Sequence, residues 1–121
     1  MTVVVRVSKS FKVAVKPLLK RYPSLQKDLL ALEAELVSNP SMGTPLGNNA
    51  YKIRLKISSK GKGKSGGARI ISLLEGRLLA LVDAGHEDVI VTLIMIYDKS
   101  STGSITDKEL KDLIKSFYRN G

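Results

Sequence analysis

The amino-acid sequence predicts an α+β fold: an N-terminal strand and a helical hairpin packed on a small, mostly antiparallel twisted sheet, followed by a C-terminal helix. Residues 51–57 alternate between apolar and cationic side chains, a period of two that is typical of a strand with one buried face. Residues 25–36 instead repeat leucine at helical spacing. The predicted order is β-α-α-β-β-β-α, and 121 residues suffice for a single domain spanning residues 1–121.

The first strand and the first helix are predicted near the N-terminus. β-Branched residues dominate positions 2–7, which favours a strand. Ser8 or Ser10 can cap a helix over residues 11–21, because a serine hydroxyl accepts a hydrogen bond from a free backbone N–H group at a helix start. Pro17 is expected to kink or shorten that helix, since it has no N–H group and its ring crowds the preceding turn.

A second helix is predicted after a break at Pro23, because the residue before a proline avoids the helical conformation. Ser24 is expected to cap this helix. Its apolar stripe consists of Leu25, Leu29, Leu32 and Leu36, with Leu30 beside it. The helix should end at Asn39-Pro40, and the composition of residues 41–49 predicts a loop.

Two apolar stretches follow the alternating strand. Residues 68–74 and 77–83 are both rich in apolar residues and predict strand structure. Glu75-Gly76 between them is either a turn that separates two strands or a point within one long strand.

The last strand and the last helix are predicted at the C-terminus. Residues 88–97 are apolar at successive positions, which indicates a central strand buried on both faces. Thr106 and Glu109 have the spacing of a capping box, in which each side chain bonds to the other residue's backbone N–H group. This motif predicts a final helix that ends near Tyr118.

The chain is strongly basic, with a formal net charge of +9 and an isoelectric point near 9.9. No acidic residue occurs between Leu36 and Leu74. Such a charge balance fits nucleic acid or an acidic protein as partner. The absence of cysteine excludes disulfides, thiolate metal sites and cysteine nucleophiles. No apolar run is long enough for a membrane span or a signal-peptide core, so we expect a cytoplasmic protein.

The basic residues of this acid-free stretch are candidate phosphate ligands. The alternation places Lys52, Arg54 and Lys56 on one strand face, and we expect Arg69 to join them on one solvent-facing surface. Neighbouring cations repel each other, which is tolerated when a polyanion binds, although lysines also serve to protect sheet edges. The candidate RNA-binding residues are Lys56, Lys60, Lys62 and Lys64.

Two ligand motifs are matched only in part. Gly63-Lys64-Ser65 resembles the end of a nucleotide-binding P-loop, but Ser58 replaces the leading glycine and a strand, not a helix, is predicted to follow. The stretch from Asp98 to Glu109 fits the frame of a calcium loop, but hydroxyl residues replace two of its carboxylates and the preceding segment is strand-like. We therefore favour a flexible basic hairpin loop in the first case, and a turn followed by a helix cap in the second.

Histidine chemistry is not indicated. His86 is the only histidine, and it has neither a carboxylate partner nor a metal-ligand constellation in the sequence. We expect a solvated turn residue, no metal and no cofactor.

Several blocks together resemble the RelE/ParE superfamily of bacterial toxins, most closely its RelE/HigB-like branch. The resemblance covers nearly the whole chain, in order, and the glycine-rich block and the alternating strand are its more specific parts when taken together. The matching blocks are YPSL from Tyr22 with DL at Asp28, GTPLG from Gly43, YKIRL from Tyr51, GKGKSGGARII from Gly61 and IYDKS from Ile96.

The resemblance implies a toxin domain of a type II toxin–antitoxin system, neutralised by a cognate antitoxin. RelE-like members enter the ribosomal A site and cleave messenger RNA without metal, through attack of a 2′-hydroxyl on the adjacent phosphate. Lys52 and Arg54 match the cations of the family's second strand, and Arg69 matches the arginine after its glycine pair. Lys99 matches the basic residue after the last strand, and Tyr97 is the candidate for the family's C-terminal catalytic tyrosine. The identity of the general base stays open.

Three functions are therefore considered. The first is a ribosome-dependent mRNA endonuclease, in which fixed cations stabilise charge on the pentavalent phosphorus, with Arg69 as a bidentate phosphate ligand. The second is a ParE-like toxin that inhibits a topoisomerase, and the third is an inactive relative that only binds RNA or an antitoxin. The clustered cations favour the first over the second, because a protein inhibitor has less need of phosphate ligands.

Overall fold

A computed structural model describes residues 2–60, 66–76, 88–100 and 103–120 and confirms the α+β class. The elements are β1 (Thr2–Val7), α1 (Lys9–Arg21), α2 (Leu25–Ser38), β2 (Thr44–Gly47), β3 (Ala50–Leu55), β4 (Ala68–Glu75), β5 (Asp88–Asp98) and α3 (Asp107–Asn120), with a 3₁₀ turn at Ser58–Lys60. The predicted strand at 77–83 and His86 lie outside the described residues.

The strands form one mixed sheet in the order β1-β5-β4-β3-β2. β1 pairs with β5 in parallel, while the β5–β4, β4–β3 and β3–β2 pairs are antiparallel. The central strand β4 therefore has β3 on one side and the long strand β5 on the other. Side chains that stand opposite each other on these three strands share one face of the sheet.

The two sheet faces carry separate cores. On one face, α1 and α2 bury Phe11, Leu25, Leu32 and Leu36 against the odd-numbered residues of β3, which include Ile53. On the other face, α3 packs Leu110 in a smaller cluster with Ala50, Ile71, Leu73 and Ile94. The alternation of β3 thus separates its residues as predicted: Ile53 and Leu55 enter the α1–α2 core, and Lys52 and Arg54 stand on the α3 face.

The prediction of a loop over residues 41–49 was wrong in part, because it contains β2. The two strands β2 and β3 are joined by a two-residue turn at Asn48 and Asn49, with φ of 54° and 61°. Asparagine adopts this left-handed conformation more readily than most residues, and two successive positive φ values are characteristic of the tight hairpin turn. The Asn-Asn pair was the sequence signal for this hairpin.

The first helix is longer than predicted. It begins at Lys9, and the Ser8 hydroxyl accepts a hydrogen bond from the Phe11 N–H at 3.2 Å. Pro17 lies inside the helix, which nevertheless continues to Arg21, so the expected shortening was wrong. The carbonyl that loses its partner to Pro17 belongs to Val13, an exposed residue, so this carbonyl is not enclosed in the core.

The second helix keeps its predicted stripe but not its predicted cap. Leu25, Leu32 and Leu36 are buried, and Leu29 packs against the same core. Ser24 makes no capping hydrogen bond. Its hydroxyl instead donates to Asp28 at 2.8 Å and accepts from the Ser59 N–H at 2.9 Å, which joins the start of α2 to the turn after β3.

The capping box of the last helix is confirmed. The Glu109 N–H donates to the Thr106 hydroxyl, and the Thr106 N–H donates to the Glu109 carboxylate, both at 3.1 Å.

Within the described parts of the chain, no helix combines the length and the apolar character needed to cross a membrane.

Gly67 allows β4 to start directly against the end of β3. A Cβ atom at Gly67 would lie 2.0 Å from the Leu55 carbonyl oxygen and 3.1 Å from the Ile57 nitrogen. Both contacts are with backbone atoms, which cannot rotate away as a side chain could. The second glycine of the SGGARII block is thus explained by close packing of two backbones.

Gly67→Ala is expected to destabilise the fold by about 3 kcal/mol, because the backbones of β3 and β4 must separate. Gly103→Ala is the matched control: its Cβ would meet nothing within 4 Å, so only the left-handed backbone at φ 47° adds a cost, about 1 kcal/mol. Urea unfolding of both variants measures the difference. Equal losses of stability would show that the contact at Gly67 is unimportant.

Candidate nucleic-acid interface

A row of three candidate site residues crosses the middle of the sheet. Arg54 on β3 stands opposite Arg69 on β4, and Arg69 stands opposite Tyr97 on β5. Directly opposed residues have Cβ atoms about 5 Å apart on the same face. We call Arg54, Arg69 and Tyr97 the central row. It lies on the α3 face and spans two strand spacings, roughly 10 Å.

A second row runs beside the central row. Lys52 on β3 stands opposite Ile71, which stands opposite Met95 on β5. Lys52 is two residues from Arg54 along β3, roughly 7 Å away. The structure therefore brings together on one face four residues that the sequence pointed to as catalytic: Lys52, Arg54, Arg69 and Tyr97.

The members of the central row differ in exposure. Arg54 is exposed, whereas Arg69 is 5% exposed and Tyr97 9%. The expectation that Arg69 is solvent-facing was wrong, because it stands on the middle strand with a neighbour on either side. Its Nη1 atom donates to the Ala68 carbonyl at 3.1 Å. The guanidinium that solvent or a ligand reaches first is that of Arg54.

Arg54 and Lys56 stand at an edge where acidic residues of α2 lie nearby. β2 pairs only with the first half of β3, from Ala50 to Lys52. Beyond that point, Arg54 and Lys56 line a depression of about 210 Å³ together with Asp28 and Glu35. The acid-free stretch of the sequence is therefore partly balanced in space by carboxylates from another element.

Asp28 is itself held by the turn after β3. It accepts hydrogen bonds from the Ser58 N–H at 2.9 Å, the Ser58 hydroxyl at 2.6 Å and the Ser24 hydroxyl. Burial raises the pKa of Asp28, but the hydrogen bonds from Ser58 and Ser24 outweigh this effect and leave it below its ordinary value. The Asp28 carboxylate thus holds the turn at Ser58–Lys60, where the lysine-rich stretch begins.

Lys60 is engaged inside the protein instead of standing free on the surface. Its ammonium group donates to Asp98 at 2.9 Å, to the Gly66 carbonyl at 3.0 Å and to the Ser100 hydroxyl at 3.2 Å. It also lies 5.2 Å from the centre of the Tyr22 ring. Lys60 therefore does not belong to the exposed phosphate ligands predicted from the sequence, while Lys62 and Lys64 lie outside the described residues.

Asp98 is the centre of this arrangement, which we call the Asp98 network: Asp98, Tyr22, Lys60 and Ser100. Tyr22 donates its hydroxyl proton to one carboxylate oxygen, and Lys60 and both the N–H and the hydroxyl of Ser100 donate to the other. Burial raises the pKa of Asp98, but the hydrogen bonds from Tyr22, Ser100 and Lys60 prevail and hold it far below its ordinary value. The hydrogen bond to Asp98 in turn raises the pKa of Lys60.

The geometry around Asp98 and Glu109 bears on the two partly matched ligand motifs, the calcium loop and the P-loop. Both carboxylate oxygens of Asp98 accept bonds from protein groups, and Glu109 caps α3, which is the alternative that we favoured over a calcium loop. Residues 61–65, which include the P-loop-like motif, lie outside the described residues, but a strand starts at Ala68 as predicted. In the ranges that the structure describes, no cluster of three or more histidine, aspartate or glutamate residues could hold a metal ion.

Lys99 follows β5 at the edge of the site. Its N–H donates to the Gly67 carbonyl at 3.1 Å, so its backbone ties the end of β5 to the start of β4. The side chain is half-buried. The position that the resemblance suggested for a catalytic cation is thus next to the Asp98 network and two residues after Tyr97.

Comparison with known proteins does not assign the chain to a family. No protein-family model matches the sequence, and a search of curated proteins finds no significant match.

Sequence reasoning missed the role of Tyr22 and the pairing of Lys60 with Asp98. Tyr22 was interpreted as part of a chain break and Asp98 as a turn residue, and both lie in blocks of the resemblance, but neither was assigned a side-chain partner. The pairs are 76 and 38 residues apart in sequence, so no local spacing signals them. The isolated acidic residue at the end of the apolar strand was the only available hint, since a charge there needs a partner.

Asp98→Asn is expected to lower the free energy of unfolding by about 3–5 kcal/mol, because it leaves the enclosed Lys60 ammonium without its counter-charge. Asp112→Asn is the matched control. It removes a carboxylate that is 60% exposed and pairs with Lys108 four residues earlier, a contact worth only about 0.3–0.5 kcal/mol. Urea unfolding at neutral pH measures both changes, and similar effects for the two variants would contradict a structural role of the Asp98 network.

The Asp98 network also predicts how stability depends on acid. The unfolded chain takes up a proton at Asp98 near its ordinary pKa of 3.8, whereas the folded chain resists protonation to lower pH. The contribution of Asp98 is therefore complete above that value and is lost as the pH falls below it toward the folded-state pKa. Wild type should lose more stability than Asp98→Asn between about pH 5 and pH 2. If the free energies of unfolding of wild type and Asp98→Asn changed equally with pH, Asp98 would not be preferentially ionised in the folded state.

Proposed function

We propose that the protein is a toxin of a type II toxin–antitoxin system that cleaves messenger RNA on the ribosome without a metal ion. The observation that carries the proposal is the central row, in which two guanidinium groups and a phenol stand at neighbouring register positions with Lys52 beside them. A net charge of +9 supports a polyanionic partner. The resemblance of the sequence blocks to RelE-like toxins supplies the reaction and the expected partners, namely a cognate antitoxin, the ribosome and mRNA.

The proposed reaction is an internal phosphoryl transfer. The 2′-oxygen of one nucleotide attacks the phosphorus on its own 3′ side, while its proton passes to a basic group. The bond from phosphorus to the 5′-oxygen of the next nucleotide breaks, and that oxygen receives a proton. The products are a 2′,3′-cyclic phosphate and a 5′-hydroxyl. Negative charge builds on the phosphorane and on the leaving oxygen, which is where fixed cations stabilise the transition state.

The exposure of each residue in the site suggests its task in this reaction. Arg54 is the outermost guanidinium, so it would bind two non-bridging oxygens of the scissile phosphate. Lys52 beside it would orient the same phosphate. Arg69 stands beside Arg54 on the neighbouring strand and is buried, and a low-dielectric surrounding would strengthen its field at the phosphate. Tyr97 and Lys52 are the groups in reach that can carry a proton to or from the reacting oxygens.

A second function is favoured by the burial of Arg69 and Tyr97. If these two side chains stay covered when RNA binds, only Arg54, Lys52 and Lys56 meet the phosphates. A surface of that kind positions RNA, but it lacks Tyr97 as the second proton-carrying group, and Lys52 alone cannot both accept the 2′-hydroxyl proton and donate one to the leaving oxygen. The chain would then bind RNA or an antitoxin without cleaving RNA.

Arg54→Ala is expected to reduce the rate of ribosome-programmed mRNA cleavage by about 10²–10³-fold, because one donor to the developing charge is removed. Arg119→Ala removes the same charge from the exposed C-terminal end of α3 and should leave the rate unchanged. Thermal unfolding of both variants should match wild type. Wild-type cleavage by a folded Arg54→Ala protein would refute the proposed role of the central row.

Arg69→Ala separates the proposed function from the second one. For a nuclease, it should abolish cleavage and growth inhibition when the protein is assayed below its melting temperature. For an RNA-binding protein without catalysis, wild type itself leaves the message intact, and Arg69→Ala only lowers the melting temperature. Arrest of growth by wild type with no cleavage of mRNA would indicate a topoisomerase-directed toxin.

The lysines at positions 60, 62 and 64 give a prediction about how RNA affinity depends on salt. Changing Lys62 and Lys64 together to alanine should flatten the log–log dependence of RNA affinity on salt by roughly 0.7 for each phosphate that the variant no longer binds, without lowering the melting temperature. Lys60→Ala should lower the melting temperature and leave the slope unchanged, because its ammonium group already neutralises Asp98. Binding titrations across a range of salt concentrations measure the slopes. An unchanged slope for the double variant would remove these two lysines from the interface.

A further inference from the structure

A pocket opens beside the central row, between the end of β5 and the start of α3. Its volume is about 420 Å³, within the range of small-molecule sites. Met95 and Tyr97 form one wall and Ile105 and Leu113 another, so most of the lining is apolar. The remaining lining residues are Ser104, Glu109 and Asp112.

The pocket and the central row share Tyr97. This side chain is the last member of the row and also a wall of the pocket. Met95, the other wall residue on β5, belongs to the second row, which ends at Lys52. From the cations on β3 to the pocket wall on β5 is roughly 10 Å, two strand spacings. A nucleotide whose phosphate lies at Arg54 can therefore direct a neighbouring base into the pocket.

The charge of the pocket differs in sign from that of the row. Glu109 and Asp112 repel phosphate, so the pocket suits the uncharged part of a nucleotide. One oxygen of Glu109 already accepts the Thr106 N–H at 3.1 Å. Among the described residues, Asp112 pairs with the exposed Lys108 at 3.4 Å, a contact weak enough to be exchanged for a ligand.

We infer that this pocket holds one unstacked base of the RNA and selects guanine; the inference rests on the proposed function. Apolar walls and an aromatic ring are the usual surroundings of a base splayed out of a single strand. Guanine presents two neighbouring donors, N1–H and the N2 amino group, which match the two oxygens of the Asp112 carboxylate. Uracil presents a single N–H between two carbonyl oxygens, which the carboxylate repels. Asp112 is thus a specificity-determining residue.

The test uses ribosomes programmed with short messages whose A-site codon is 2′-O-methylated at all three positions. Methylation blocks the attacking hydroxyl, so binding is measured without cleavage. One series places a single guanine in turn at each position among uridines, and the reference codon contains uridine only. Binding of fluorescently labelled wild-type protein should be about tenfold tighter for the codon with guanine at one of the three positions.

Asp112→Asn should remove this preference, because an amide presents a donor where guanine also presents donors. Its affinity for the uridine codon should be at least that of wild type, because the charge that repels the uracil carbonyl oxygens is gone. Asp107→Asn is the matched control, since it removes a carboxylate from the same helix at a position outside the pocket, and it should retain the preference. Leu113→Phe fills the pocket and should abolish the preference as well, with the melting temperature of every variant measured in parallel.

Failure of the pocket assignment and failure of the proposed function give different results in this experiment. Binding of wild type without any preference for guanine, or a preference that survives in Asp112→Asn, would overturn the pocket assignment and leave the proposed function intact. Absence of binding to every programmed ribosome would overturn both.

Discussion

The buried carboxylate of Asp98 joins three parts of the chain that are far apart in sequence. Through Tyr22 it holds the connection between α1 and α2, through Lys60 the turn after β3, and through Ser100 the segment that leaves β5. A charge enclosed to this degree is stable only while its partners are in place, so the three segments are fixed together or not at all. Tyr97 directly precedes Asp98, and the end of the central row is therefore set by the same network.

The two faces of the sheet carry different groups of side chains. The α1–α2 face carries the larger core, and the α3 face carries a smaller core and the central row. β4 contributes to both because its residues alternate, with Ile70 in the larger core and Arg69 between Arg54 and Tyr97. Since α3 covers only part of its face, a pocket remains where the row ends. Charged and apolar side chains are thereby placed side by side.

Much of this architecture follows from local patterns in the sequence. The alternation around Ile53, the leucine stripe of α2 and the Thr106–Glu109 capping box each predicted their element, because each depends on contacts within a few residues. The shared face of Lys52, Arg54 and Arg69 was also predictable once β3 and β4 were recognised as neighbours. The β2 hairpin was missed because the loop-like composition of residues 41–49 concealed the Asn-Asn turn.

Other features depend on contacts that no local pattern encodes. Lys60 belongs to the same basic run as Lys56, yet its ammonium group is enclosed by residues from both ends of the chain. Arg69 is buried on the middle strand, where Arg54 and Tyr97 of the two neighbouring strands flank it. Asp28 and Glu35 line the same depression as Arg54 because α2 packs beside the sheet edge. Charge and burial at the site are therefore results of tertiary packing.

The central claim is that the central row cleaves RNA by attack of the 2′-hydroxyl. Analysis of the product ends from ribosome-bound mRNA, incubated with wild-type protein in the magnesium buffer that the ribosome itself needs, tests it most directly. The account predicts a 2′,3′-cyclic phosphate on the upstream fragment and a 5′-hydroxyl on the downstream fragment, with no product from a message methylated at the attacking oxygen. A 3′-hydroxyl with a 5′-phosphate, or cleavage of the methylated message, would contradict it.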